Sequence, residues 1–348
     1  MNSGSRLIGG RARCSARAGV PTVAAPRQSA ADVLPSSLRR SHETPLHTVQ
    51  GARCATRPTT GVIGRAMLAL VVLGASAAPA TDTAALRSAL TFHASFDGGV
   101  DADFALGDRK FYNAPAMNKR ADATVGLPTN TLVVAARGEG RWGDALRFKD
   151  KSATTVFFNA AKNVAYRDTN WSGTVSFWLS TDPPGELKPG FCDPIQITPR
   201  AWNDAAFFVE FEKRPAGIPF RLGAYADFKV WNPSNRKWEE IAMADKPLLT
   251  VDQPPFAKGK WTHIAFTFER FNTGAADGVA RLYLDGQPRG ALLARTQTFT
   301  WDVDKSAVML GLSYVGLFDE LSLFNRALTA EEIARLHSVE GGVKSLLK

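Results

Sequence analysis

From Leu90 to Phe324 the chain is a series of short segments in which apolar and polar residues alternate, each closed by Gly, Pro, Asn or Asp. A period of two belongs to half-buried strands, and a helix cannot bury such a pattern on one face. The strongest unit runs from Lys260 to Gly286: Ile264, Phe266 and Phe268 share one side of "WTHIAFTFE", and "VARLYLDG" ends in an Asp-Gly pair suited to a type I′ hairpin turn. Further candidates are "LTFHASF", "DALRF", "GTVSFWLS", "AAFFVEFE", "PFRLGAYADFKVW", "AVMLGL" and "LFDELSLFN". Many short strands with frequent turn signals predict an antiparallel sandwich.

One helix is expected, over 330–337. Thr329 caps it and Glu332, three residues on, completes a capping box, while Ile333 and Leu336 give the apolar side. Glu331 and Glu332 are accounted for by helix-start chemistry. Just upstream, Asp319 and Glu320 interrupt an otherwise apolar strand. Simple alternation puts Asp319 on the side of Leu317, Leu321 and Leu323 and leaves Glu320 exposed.

The formal charge of +9 suggests a polyanion partner until it is divided along the chain. Residues 1–65 hold ten of the 42 basic residues and two of the 33 acids, so the remainder carries 32 against 31 and is almost neutral. That balance argues against nucleic acid. "GRAMLALVVLGASAAPATD" has an Arg, a short apolar run and the small-x-small triplet Ala78-Pro79-Ala80, and it reads as a signal peptide over 62–80. The apolar run is too short to span a bilayer, which takes about 20 residues. Residues 1–61 then form a disordered extension, an organellar presequence or a leader upstream of the true start, and 81–348 is the mature domain, with no membrane span. Cys14 and Cys54 fall in the leader, which leaves Cys192 unpaired; beside Asp193 it reads as buried and inert.

"TVSFWLS", "KWTHIAFTFE", "ARLYLDGQPRG" and "GLFDELSLFNRALTAEEIARL", in this order, resemble the successive signatures of laminin-G-like, concanavalin A-like domains, including the pentraxin-like type. The resemblance covers nearly all of 81–348. It implies an all-β fold, a two-sheet antiparallel jelly-roll sandwich with one short C-terminal helix, in a superfamily of lectins, adhesion modules and glycoside hydrolases. It also implies packed positions for Trp178 and Trp261. Function is not fixed by such a fold.

The polysaccharide-cleaving relatives carry Glu-x-Asp-x-x-Glu on one strand, since retaining hydrolysis needs two carboxylates about 5 Å apart. No Glu in the chain has Asp two positions on. Glu210 and Glu212 come nearest, and are expected on a solvated strand face. With His93, His263 and His337 as the only histidines after residue 80, and no nucleophile elbow or phosphate loop, the sequence favours no catalytic residue. The resemblance implies a structural Ca²⁺ where the first and last strands meet, with Asp97 and Asp319 at the matching positions. The alternative is that a buried Asp319 accepts backbone amides or pairs with an Arg.

For a ligand, the polar side of "PFRLGAYADFKVW" offers Tyr225 and Trp231 for stacking and Arg221 and Asp227 for hydrogen bonds, unless it is an ordinary solvated face. Trp238 lies across the turn "NPSNRK" from Trp231, and Trp202 ends the long stretch "KPGFCDPIQITPRAWNDAAF", read as a loop joining two strands. The expectation is a secreted or cell-envelope binding module without chemistry, its partner a glycan or a cell-surface molecule. A structural or adhesive interaction domain is the second reading, and a polysaccharide-active enzyme with an unusual site the third.

Overall fold

The computed structural model describes residues 83–347. The leader, the signal peptide and the cleavage site read from the sequence lie outside the described residues. Seventeen strands follow the helix α1 (Thr83–Ala89). The first seven are β1 (Leu90–Ala94), β2 (Phe104–Ala105), β3 (Phe111–Ala114), β4 (Thr124–Val125), β5 (Val133–Ala136), β6 (Ala145–Phe148) and β7 (Thr155–Asn159). The central five are β8 (Trp171–Ser180), β9 (Gly190–Thr198), β10 (Ala206–Lys213), β11 (Phe220–Tyr225) and, after the helical turn α2 (Phe228–Trp231), β12 (Leu248–Val251). The last five are β13 (Trp261–Phe271), β14 (Val279–Leu284), β15 (Gln287–Ala291), β16 (Ala307–Leu312) and β17 (Gly316–Phe324), and α3 (Ala330–Ser338) closes the series.

The strands form two antiparallel sheets. The first runs β15-β14-β13-β8-β17-β1-β2, with β6 also paired to β17 and β5 to β6; the second runs β12-β11-β10-β9-β16-β7-β3-β4. Alternate residues of both enter one core, among them Phe177, Phe207, Val209, Ile264, Phe266 and Phe318. At its aromatic centre the Trp171 ring lies 4.7 Å from Phe268 and 4.9 Å from Trp301. The predicted pairing of β13 with β14 is present, and the Asp-Gly turn joins β14 to β15, with Asp285 and Gly286 at φ 52° and 73°, as a type I′ turn demands. Cys192 is buried in this core, and burial pushes its thiol up to about 11.

The middle of the first sheet is covered on both sides, which is why all nine residues of β17 are buried, whereas the edge strand β15 is exposed. On its outer side α1, α3 and the 3₁₀ turn Val343–Leu347 pack Leu86, Ile333, Leu336, Val343 and Leu346 against Ala265, Tyr283 and Phe324. The capping box of α3 is as expected: the Glu332 amide donates to Thr329 Oγ1, and the Thr329 amide to the Glu332 carboxylate. No helix among the described residues is long and apolar enough to cross a membrane.

Three sequence expectations are corrected. The stretch taken for a loop contains β9, a central strand; Pro194 sits where its register with β10 shifts, the one kind of place an interior strand accepts a residue without an N–H. The strand expected to reach Trp231 stops at Tyr225, and Val230 and Asn232 turn back to donate to the carbonyls of Asp227 and Phe228. In β17 a bulge between Asp319 and Ser322, with Glu320 at φ 56°, resets the alternation. Phe318, Leu321 and Leu323 therefore face the core, whereas Asp319 and Glu320 do not join it. Glu320 is not exposed but 2% accessible.

Candidate functional site

The outer side of the second sheet divides into a covered half and an open half. Over β10, β11 and β12, the segment around Trp202 and the segment 228–246 close down on it. Tyr225 is fully buried, its ring 5.1 Å from Trp231, 5.6 Å from Trp202 and stacked on Phe208 at 5.5 Å. Trp238 packs edge-on to Trp202, and the Lys246 ammonium sits 4.0 Å from the Trp238 ring. Arg221 is 6% exposed and bridges Glu210 (2.5 Å) and Glu212 (2.7 Å), the two acids expected on a solvated face. Asp227 accepts from Arg200 at 2.7 Å and from the Thr300 hydroxyl at 2.6 Å.

Six residues proposed for a ligand thus stand in one region, but Tyr225 has no free face for stacking and Arg221 no free charge. Three large rings, half-buried, prefer each other and Tyr225 to water. That preference turns the polar-looking strand face into a second, small core.

The open half holds a groove of about 680 Å³. Its floor is the outer side of β3, β7 and β16. Alternation sends Phe111 and Phe158 into the core and Tyr112 and Phe157 outward, and these two rings stack at 5.5 Å and 20°. Phe157 is buried beneath, so Tyr112 presents the available face. Its hydroxyl donates to Asp108 Oδ2 at 2.8 Å, and Asn159 donates to the same oxygen at 2.9 Å. Burial works against charge on Asp108, but these bonds and the Lys110 amide hold its carboxyl below the ordinary range.

One wall is the 3₁₀ turn Met117–Asp122, the other the loops at Pro199–Arg200 and Asp304–Ser306. Arg120 ties the walls together. Its guanidinium donates to the carbonyls of Met117 (2.9 Å), Pro199 (3.3 Å) and Lys305 (3.2 Å), and touches Met309 Sδ at 3.5 Å. Sequence periodicity singled out none of these residues, because they come from separate segments of two to six residues. The one available signal was the side-by-side aromatics of "FYN" and "VFFN", which send one ring to each side of a strand.

Asp97 and Asp319, the expected metal pair, do meet at one place, the turn 140–144. The Asp144 amide donates to Asp97 at 2.8 Å, and the amides of Arg141 and Glu320 donate to Asp319 at 2.7 and 2.8 Å. Gly143 and Gly140 allow the approach, since an added Cβ would lie 2.1 Å from Asp97 Oδ1 and 2.9 Å from Asp319 Oδ2. The Lys344 ammonium reaches Asp97 (3.1 Å) and Asp103 (3.3 Å). Burial pushes the Asp319 carboxyl up to about 8, against its amide bonds, and burial with Asp319 alongside pushes Glu320 up to about 9. Among the described residues no three His, Cys, Asp or Glu are grouped to hold a metal. The donor set fits a cation in part: among the described residues Asp319 has no positive partner and the buried Glu320 Oε1 no hydrogen bond, but Lys344 already serves Asp97.

No curated protein matches the sequence. Among solved structures, domain 4 of an extracellular arabinanase from Geobacillus stearothermophilus, in complex with arabinotriose, is 16% identical with a TM-score of 0.46, covering 72% of this chain and 98% of that one. The binding domain of Paraclostridial Mosquitocidal Protein 1 is 12% identical with a TM-score of 0.44, over 72% of this chain and 52% of the other. The CBM40 of an IT-sialidase from Ruminococcus gnavus, bound to α2,3 sialyllactose, is 12% identical with a TM-score of 0.37, over 56% of this chain and 96% of that one. The model of the concanavalin A-like lectin/glucanases superfamily matches residues 159–334, just over half of the chain, and the protein belongs to that superfamily.

Proposed function

We propose that the protein is a secreted, non-catalytic module that binds carbohydrate in the groove over β3, β7 and β16. The observation that carries this reading is the Tyr112 ring: backed by Phe157, pinned through its hydroxyl, and set in a concave surface of about 680 Å³ beside Asn118, Asn159 and Ser306. Sugars have apolar faces and hydroxyl edges, and an immobile aromatic flanked by polar groups matches both at little entropic cost. Asp304 is the one acid among the lining residues, whereas glycoside hydrolysis asks for two carboxylates about the scissile bond.

The test is binding of the full chain to a glycan array and then by calorimetry. Tyr112→Ala should weaken the best ligand by about tenfold, the equivalent of about 1.4 kcal/mol. Equal affinity for wild type and variant, with the fold intact, would place the ligand elsewhere. A structural calcium ion is a separate part of the proposal: Asp97 and Asp319 would each supply a carboxylate oxygen beside the turn 140–144, with Lys344 giving up its contact to Asp97.

A further inference from the structure

Charges along the groove are unevenly matched. Arg200 has acid partners in Asp204 (3.4 Å) and Asp227 (2.7 Å), and Lys305 has Asp302 (2.6 Å). Arg120 has carbonyls and a thioether but, among the described residues, no carboxylate. It is half-buried, and loss of water alone shifts its guanidinium down, with no acid acting in the other direction. Carbonyl dipoles fix the plane of the group without cancelling its charge. Asp304 is the only negative group in the lining, against Arg120, Arg200 and Lys305.

Resting on the carbohydrate reading, we propose that the groove selects an acidic saccharide, a sugar unit carrying a carboxylate or sulfate, and that Arg120 is the residue that recognises the charge. A half-desolvated cation lacking a counter-ion is stabilised by an anion entering the groove, and a neutral sugar cannot provide that. The Tyr112 ring and Arg120 both line the groove, so one residue of a chain can stack while its acid group approaches the guanidinium.

The experiment compares three probes on the full chain: oligogalacturonate for carboxylates, heparin oligosaccharide for sulfates, and cello-oligosaccharide as a neutral control. An acidic probe should bind at least about tenfold tighter than the neutral one. Its affinity should fall as salt rises from about 0.05 to 0.5 M, where screening shortens from over 10 Å to a few ångströms. Arg120→Gln should remove that preference, so that acidic and neutral probes bind the variant alike, while Arg120→Lys, which keeps the charge, should retain most of it. Thermal unfolding of both variants checks that the wall is intact. Should Arg120→Gln misfold, the salt dependence of the wild type and the behaviour of Arg120→Lys still decide.

Which of the two acidic probes prevails identifies the acid group. Acidic binding that ignores both salt and Arg120→Gln, or a preference for the neutral probe, overturns the inference while leaving a carbohydrate module. Absence of binding to any glycan overturns the module reading and this one with it.

Discussion

Replacing Arg221 by Met separates a structural role from a ligand role. In the folded protein Arg221 is 6% exposed and its two nitrogens hold Glu210 and Glu212, with Phe191 against the guanidinium at 5.2 Å. An exposed ion pair contributes 0–1 kcal/mol, whereas removing one member of a buried group strands the others and costs about 3–5 kcal/mol. Burial places Arg221 in the second class. Asp193 makes the case stronger, because burial and the neighbouring Glu210 already push its carboxyl up, and Arg221 is the charge that counters them. Equilibrium unfolding in urea of Arg221→Met should show the midpoint moving by that amount divided by m, with m unchanged. In a domain of this size, at about 2–4 °C per kcal/mol, the melting temperature should drop by about 10 °C. Adding Glu210→Leu and Glu212→Gln to the variant should recover most of the loss, since the buried Glu210 carboxylate would no longer be stranded and Glu212, which also pairs with Arg214 at 3.1 Å, would carry no charge beside it. A loss under about 1 kcal/mol, or a triple variant no more stable than the single one, would refute the argument and return Arg221 to the pool of ligand residues.

Two further predictions concern the outer side of the first sheet. His263 is buried, bonded to Ser176 at 2.9 Å, and burial with His337 nearby lowers its pKa from 6.5 to about 3. The unfolded chain takes up a proton below pH 6.5 that the folded one refuses, so stability is intact above 6.5 and is lost toward 3, by up to about 1.4 kcal/mol per pH unit; His263→Gln should flatten the stability profile between pH 6 and 4, and an unchanged slope would contradict this. For calcium, the EDTA-treated protein should gain about 2.7 kcal/mol at a hundredfold excess of Ca²⁺ over Kd, and Asp319→Asn should abolish the gain; no response of the wild type to Ca²⁺ removes the metal from the proposal.

What the sequence made legible was the part of the fold written in strict alternation. The pairing of β13 with β14, the turn from β14 to β15 and the capping box of α3 rest on local rules, a period of two, an Asp-Gly turn and a Thr-x-x-Glu spacing, that tertiary structure did not override. The β9 strand was hidden because Pro194 is a strand breaker everywhere except at a register shift, and the shift is decided by neighbouring strands. Residues 226–231 alternate well enough for a strand, yet Asp227 is bound to Arg200 and Thr300 and the chain turns there. Tyr225 and Arg221 were legible as ligand candidates but not as buried, since what covers and pairs them, Trp202 and Trp238 over the ring and Glu210 and Glu212 on the guanidinium, comes from other segments. The groove was illegible for the converse reason: Tyr112, Arg120 and Phe157 each look ordinary locally, and only sheet pairing brings β3 to β7.

The bulge in β17 has a consequence for chain length. Phe318 and Leu321 both face the core although three positions separate their numbers by an odd step, so one residue between them is surplus to the strand. A shorter relative with a gap opposite Glu320 would alternate without fault and keep every core contact of this strand. The surplus residue takes a left-handed backbone at φ 56° without the freedom of glycine, and its carboxylate receives the Val343 amide at 3.1 Å. A residue that the sheet does not need thus serves as one tie on the turn 343–347, beside the packing of Val343 and Leu346 and the ion pairs of Lys344, and deleting it should loosen that turn while the sandwich stays closed.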